Sequence, residues 1–502
     1  MKSLERTSLA LRRNLLLGTI FDRLARVHAD GRLVEEAGGG CLTYNEAADR
    51  VARLAAGIAG RIERGDRVVV AVSNTYDLLL LVVAAARAGA IAVPVNPKMR
   101  DDEIEYVVAD SGASLVIHDA TEVLADEPQS APAVAEPSDV AAIFYTSGTT
   151  GNPKGARLTH QALLAQAAPG AMWPSGLRRD EAVVGLPVAH IMGFVVLLAF
   201  ATAGIPVYFL PKFRADVALD AIEQRRSTMF VGVPAMYRMM LDAGAEQRDL
   251  HSIRMWASGA DKLPPELARK FKSFGASMTI PFTNINIGEA AFAEGYGMVE
   301  LAGGVAAKVS PPYLPLAIGD FLGLPLPPYR LRVVDDEGND VRPGTVGELW
   351  VKGPGVLQGY HGRPEATAEV LTEDGWLRTG DMARKGPFGL VFFVGRSKDV
   401  IKHGGYSVFA AEVEGALEQH PEVTEAAVIG LPDERKGEVP VAAVILRPGA
   451  SVTGPELAAW ARERMSDYKA PRRVVIVDEL PRTGTDKVQK SELLGLFEVP
   501  SS

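Results

Sequence analysis

VAAIFYTSGTTGNPKG, running from Val140 to Gly155, is the stretch on which the fold of this chain turns. It opens with Val140 to Tyr145, six residues dominated by strand formers and apolar side chains, the pattern of a short buried strand. The segment that follows, Thr146 to Gly155, holds three glycines, four Ser/Thr hydroxyls and one lysine. Glycine lets backbone N–H groups come close to an anion, hydroxyls add donors, and Lys154 adds a mobile positive charge. That is chemistry for holding phosphate oxygens. It is not the GxxxxGK[ST] loop, because Gly155 and Ala156 follow the lysine, so an ordinary P-loop nucleotidase is disfavoured.

Upstream of this stretch, Arg67 to Ser73 reads as a buried strand, Asp77 to Ala88 as a helix, and Ile91 to Val95 as a second strand closed by Pro94 and Pro97. Ala120 to Ser138 is rich in Pro, Ala and acid and reads as a surface loop. The alternation predicts α/β layers with largely parallel sheets. The tail differs. A helix over Ala411 to Glu418, strands at Glu425 to Gly430 and Val441 to Leu446, a helix opened by Pro455 and a strand at Arg473 to Val477 make a compact α+β unit. In the second helix Leu457, Trp460, Ala461 and Met465 are expected on one face.

The chain has 502 residues, which implies about three domain-sized units and more than one core. With 47% apolar residues, 50 Gly and 33 Pro, it is neither disordered nor fibrous. Fifty-three basic against 62 acidic side chains give a net charge of −9 with no long basic run, so nucleic acid is not an expected partner. The single cysteine, Cys41, excludes an internal disulfide and a thiolate metal site, as suits a reducing cytoplasm. Leu78 to Ala86 and Ile191 to Ala203 are apolar but too short to span a bilayer and are expected to be buried helices. The N-terminus lacks a signal-peptide pattern, so a cytoplasmic location is expected.

The phosphate-type string resembles the signature loop of the adenylate-forming superfamily, which comprises acyl-CoA synthetases, adenylation domains of peptide synthetases and luciferases. Four further motifs follow in family order. Tyr296-Gly297-Met298-Val299-Glu300 resembles YGxTE, and Gly375-Trp376-Leu377-Arg378-Thr379-Gly380-Asp381 resembles GWxxTGD. Gly395-Arg396-Ser397-Lys398-Asp399, with Ile401 and Glu412-Val413-Glu414, resembles the hinge motif. Pro481-Arg482-Thr483 with Lys487-Val488 resembles the C-terminal PRTxxGK.

The resemblance implies an α/β protein with a large multi-sheet N-terminal adenylation region (1–395), a hinge (396–399) and a smaller mobile α+β C-terminal domain (400–502), the active site lying at their interface. It implies two reactions: a carboxylate attacks the α-phosphate of MgATP to give acyl-AMP and pyrophosphate, and a thiol then displaces AMP. By position, Thr146, Ser147, Gly148, Thr149, Thr150 and Lys154 would cradle phosphates, and Glu300 would help bind Mg²⁺. Tyr296 would lie against adenine, with Gly259 and Ala260 lining its other side and Gly297, Met298 and Val299 completing the nucleotide motif. Asp381 would meet the ribose hydroxyls with help from Arg396, and His190 would sit beside the acyl carboxylate. Lys487 would bridge carboxylate and α-phosphate. Lys398 marks the hinge, and the loop of Lys402, Gly404, Gly405 and Tyr406 would serve the thiol step. Trp376 is expected to pack rather than react.

Two positions depart from the family pattern. Val299 replaces a Thr or Ser whose hydroxyl helps hold the α-phosphate, and Asp486 replaces the Gly before the catalytic lysine. The stretch from Ser277 to Glu294 is longer than usual and is expected near the acid. Small residues from Leu301 to Ala307, and no side chain placed to greet an α-amino group, favour fatty or aryl acids over amino acids. The implied function is ATP-dependent synthesis of an acyl-CoA. A ligase loading a separate acyl carrier protein is the alternative, since no carrier motif follows Lys487; a catalytically weakened nucleotide-binding homologue is a further one.

Overall fold

The computed structural model describes residues 5–7, 9, 14–96, 98–146, 153–174, 179–261, 263–279, 286–313, 320–482 and 488–497. The strand-helix alternation of the first half builds β1 (Arg67–Val70), α1 (Tyr76–Ala88), β2 (Ile91–Pro94), α2 (Asp101–Ser111), β3 (Leu115–Ile117), β4 (Val140–Tyr145) and β5 (Gly155–Thr159). The sheet order is β3-β1-β2-β4-β5. All pairs are parallel except β4 with β5, which is antiparallel. The reason is length: a parallel return needs a crossover of roughly a dozen residues or more, and the connection 146–154 is too short for one. The described ends of the phosphate-type string, Thr146 and Pro153 to Gly155, therefore lie side by side where antiparallel β4 and β5 meet, at a sheet edge.

A nine-stranded sheet takes two strands, Arg32–Glu36 and Cys41–Thr43, from before the first sheet and the other seven from after it. In it β6 (Met255–Ser258) pairs parallel with β7 (Ala291–Met298), which pairs antiparallel with β8 (Gly303–Ser310). The apolar helices α1 and α3 (Ile191–Ala203) share one hydrophobic core with residues of both sheets, among them Val68, Ala142 and Val184. Both are buried core helices, as their length implied. No described helix is long and apolar enough to cross a membrane.

Four antiparallel strands form a third sheet: β9 (Arg330–Val334), β10 (Val346–Lys352), β11 (Leu377–Lys385) and β12 (Val391–Arg396). The last sheet begins four residues on, with β13 (Val400–His403), β14 (Tyr406–Phe409), β15 (Val423–Asp433), β16 (Gly437–Leu446) and β17 (Arg473–Ile476). Its helices α4 (Ala410–Leu417) and α5 (Gly454–Arg464) pack on it over a core of their own. Of the expected face of α5, Leu457 and Ala461 are buried and Met465 packs against the same core, whereas Trp460 does not and Ala458 is buried instead. Alanine permits a close approach to the sheet, whereas the indole is half-buried at the rim and meets His420 edge-on at 4.7 Å. Within the long stretch from Ser277 to Glu294, Met278–Thr279 pairs antiparallel with Asn286–Ile287.

Candidate active site

Strand register brings the first group together. Asp381 and Arg396 stand opposite each other in the β11–β12 ladder, so their side chains meet as a cross-strand pair. The Arg396 Nε lies 3.2 Å from one Asp381 oxygen. The Tyr296 hydroxyl, from β7, donates to the other at 2.5 Å. Asp381 is 2% exposed. Burial first, and then the Asp381 charge, raise the Tyr296 hydroxyl well above the ordinary tyrosine range, which keeps it a donor. The bend that delivers Asp381 is tied down by its neighbours. The Asp381 N–H donates to the Thr379 hydroxyl at 3.1 Å, and that hydroxyl donates to the Leu349 carbonyl at 2.6 Å. Gly380, at φ 70°, donates its N–H to Glu348 at 3.1 Å.

Parallel pairing of β6 with β7 sets Ser258 opposite Glu294, which puts Gly259 and Ala260 beside Gly295 and Tyr296. Ala260 adopts φ 70°. At Gly297 a Cβ would fall 1.9 Å from the Gly303 carbonyl oxygen, so the close β7–β8 approach admits glycine alone. Met298 ends β7, and Val299–Leu301 form a 3-10 turn closed by the Ala302 N–H on the Val299 carbonyl at 3.0 Å. Val299 is half-buried against the main core.

A second group forms around a residue that the motifs did not point to. The strap 357–361 runs along β5, with the Arg157 N–H donating to the Gly359 carbonyl at 3.0 Å and the His361 N–H to the Gly155 carbonyl at 2.8 Å. It carries Tyr360, whose hydroxyl donates to the Glu300 carboxylate at 2.8 Å. The ring of Tyr360 faces the Lys154 ammonium, 5.3 Å from its centroid. Both described ends of the phosphate-type string are held from below. The Tyr106 hydroxyl donates to the Pro153 carbonyl at 3.1 Å, and Asp110 accepts from Tyr145 at 2.8 Å and from Arg363 at 2.6 Å. Thr146 donates its N–H to the Lys154 carbonyl at 2.9 Å, closing the loop's neck. Ser147, Gly148, Thr149 and Thr150 lie outside the described residues, as do Lys487 and Asp486. The residues around Lys487 are described at Arg482 and Val488, which form an antiparallel bridge.

His190 caps α3, its Nδ1 accepting the Met192 N–H at 3.3 Å. The first turns of α3 border both glycine segments: a Cβ on Gly259 would sit 3.4 Å from the Met192 Cε, and one on Gly303 would sit 2.9 Å from the Val195 Cγ2. Apolar side chains of α3 thus pack on both segments, and Gln166 also borders Gly303 and donates to the Ala302 carbonyl at 3.3 Å. Trp376 packs, 7% exposed, beneath Arg332 and Lys352.

The remaining predicted residues form a separate cluster beyond β12. Lys398 lies in the turn Ser397–Asp399, and burial lowers its pKa from the usual lysine value, with Arg396 adding to the effect. Lys402 donates through Nζ to Ser407 at 3.0 Å. Gly404 and Gly405, at φ 59° and 82°, make the β13–β14 turn, where two left-handed residues match the strand twist. Tyr406 is exposed and stacks on Tyr468 at 4.5 Å.

With this geometry in hand, comparison with known proteins places the chain. It belongs to the AMP-binding enzymes: the family model matches residues 21–361, and the model for the AMP-binding enzyme C-terminal domain matches 412–487. A feruloyl-CoA synthase of an Amycolatopsis species is 38% identical, over 97% of this chain and 100% of that protein. The indoleacetate–CoA ligase of Aromatoleum aromaticum is 34% identical, over 90% and 92%. Among solved structures, ATP-bound MatB from Rhodopseudomonas palustris superposes with a TM-score of 0.84 at 28% identity, over 96% of this chain and 99% of that one. The protein is an acid–thiol ligase acting through an acyl-adenylate, with ATP, Mg²⁺ and coenzyme A as its co-substrates and cofactor. The donor set fits that metal. No group of three or more His, Cys, Asp or Glu side chains that could hold a metal occurs among the described residues. One hard carboxylate such as Glu300 suits Mg²⁺, which is held largely by substrate phosphates and water.

Proposed function

We propose that this enzyme activates an aryl carboxylic acid as its acyl-adenylate and transfers the acyl group to coenzyme A. The observation that carries the proposal is that the segments flanking the strand of Tyr296, at Gly259 and Gly303, pack against Met192 and Val195 of α3, while Tyr296 itself joins Asp381 and Arg396. A polar group next to apolar packing suits an acid whose only charge is its carboxylate. The named substrates of the two relatives, ferulate and indoleacetate, are both aryl acids and support that class.

In this reading Tyr296 lies against adenine with Gly259 and Ala260 opposite, and Asp381 receives the ribose hydroxyls while Arg396 holds Asp381. Lys154 and the hydroxyls of 146–150 would take the β- and γ-phosphates, and Glu300 would help hold Mg²⁺, whose charge would offset that of the phosphates. A carboxylate oxygen attacks the α-phosphorus and pyrophosphate leaves, with His190 beside the acid and Lys487 bridging the two anions. Bringing anion to anion is the barrier, so fixed cations and orientation are the main aids. The thiol of coenzyme A then attacks the acyl carbonyl and AMP leaves. Residues 396–399 are the pivot between units 1–395 and 400–502, and the β13–β14 turn serves the second step.

The test is a carboxylic-acid panel assayed for pyrophosphate release with coenzyme A, with an acyl carrier protein and with neither. Arylpropenoic and arylacetic acids are expected to give the thioester on coenzyme A. Turnover of long-chain fatty acids alone overturns the substrate class. A thioester formed only on the carrier overturns the acceptor, and nucleotide binding without turnover of any acid overturns the reaction.

A further inference from the structure

The line Lys154–Tyr360–Glu300 carries a step beyond these roles, one that rests on Glu300 being the carboxylate that meets the nucleotide's metal. A lysine and a glutamate that share one tyrosine attract each other, and a direct ion pair would turn both away from a bound nucleotide. They do not pair. Tyr360, 7% exposed, stands between them and gives each a neutral partner: its hydroxyl to Glu300 at 2.8 Å and its ring face to Lys154 at 5.3 Å. Glutamate and lysine side chains are among the most rotamer-rich, so fixing both in advance removes ordering that a ligand would otherwise have to supply. The tyrosine is itself fixed. Its N–H donates to the Thr367 hydroxyl at 2.9 Å, and the hydrogen bonds of the strap to Arg157 and Gly155 lock the backbone on either side.

We propose that Tyr360 is a positioning residue that holds Lys154 and Glu300 apart and preset for a single metal–polyphosphate unit, so that the site favours magnesium nucleotide over free nucleotide. The two halves of the side chain then have separable effects. The hydroxyl acts through Glu300 and hence on metal dependence. The ring acts through Lys154 and hence on the polyphosphate itself.

The experiment is calorimetric binding of ATP to the full chain across a Mg²⁺ series and in EDTA, for wild type, Tyr360→Phe and Tyr360→Leu. Each is also made with Glu300→Gln. Tyr360→Phe, which keeps the ring, is expected to raise the Mg²⁺ midpoint about tenfold, the effect of losing one hydrogen bond to a charged group, and to leave binding in EDTA unchanged. Tyr360→Leu is expected to weaken binding in EDTA as well, by about threefold. With Glu300→Gln in place, Tyr360→Phe is expected to add little, because both changes act through one contact. An unmoved midpoint in Tyr360→Phe overturns the proposal, and so does a shift of equal size with and without Glu300→Gln, which marks a merely structural role. Should Tyr360→Leu fail to fold, the phenylalanine series decides alone. Wild-type binding indifferent to Mg²⁺ would instead remove the assignment of Glu300, and the proposal with it.

Discussion

Asparagine at position 381 isolates what one buried charge contributes. The Asp381 carboxylate uses both oxygens, one accepting the Tyr296 hydroxyl at 2.5 Å and the other facing the Arg396 Nε at 3.2 Å. Asparagine has a single acceptor oxygen, and its NH₂ then confronts a donor on the other side. Tyrosine can rotate its O–H away; the guanidinium cannot, so the oxygen is expected to stay with Arg396. The full negative charge that Asp381 offers the ribose in the proposed site is lost. A hydrogen bond to a charged group is worth about 1.5–3 kcal/mol, which predicts a fall of about 10- to 150-fold in kcat/KM for ATP. The KM for the acid is expected to hold. Stability is expected to fall by only about 1 kcal/mol, because the Arg396 side chain is 44% exposed and water can solvate it. The assay is steady-state pyrophosphate release with ATP and with 2′-deoxy-ATP at saturating acid. Wild type is expected to prefer ATP by about tenfold or more, and Asp381→Asn to lose most of that preference. A variant that discriminates between the two nucleotides as sharply as wild type would refute the ribose assignment.

Three other outcomes follow from the geometry. Gly297→Ala forces β7 and β8 apart and is expected to cost about 1–3 kcal/mol in urea unfolding together with nucleotide affinity; an unchanged midpoint would contradict the 1.9 Å approach. Val299→Thr restores a hydroxyl near Glu300 at almost constant volume and is expected to speed ATP–pyrophosphate exchange about tenfold, with no gain meaning that the site does not need it. His160, 3% exposed and accepting the Leu17 N–H at 3.1 Å, is depressed by burial to about 4. The unfolded chain therefore binds a proton between about pH 6.5 and 4 that the folded chain refuses. Its contribution is complete above pH 6.5 and falls by about 3 kcal/mol on acidification to pH 4, so His160→Gln is expected to flatten the melting temperature over that window.

How much of this was legible in the chain depends on the range of the interactions. Runs such as Arg67–Val70 and Val140–Tyr145 declare themselves locally, because strands buried on both faces are continuously apolar. Asp381 and Arg396 were legible as motif members, and the β11–β12 register brings them into contact. Tyr360 gave no signal. Its importance comes from the strap lying on β5, a pairing across some two hundred positions that no spacing rule encodes. Glu348 and Asp110 escaped for the same reason: each is an unremarkable acid until a distant strand or loop supplies its donors. Trp460 departs from its expected face because helical periodicity predicts a direction and not the room available there, and Ala458 is buried in its stead.

The position of Arg396 has a mechanical side. It is the last residue of β12, and Val400 is the first of β13. With three residues between them they are four Cα steps apart, no more than about 14 Å even when fully extended. So short a leash favours turning over sliding. In the proposed rearrangement the final sheet turns about a tether that starts at the strand partner of Asp381, and leverage makes its far edge travel the most. In the proposed mechanism the fulcrum of that swing thus adjoins the same salt bridge that would back the nucleotide.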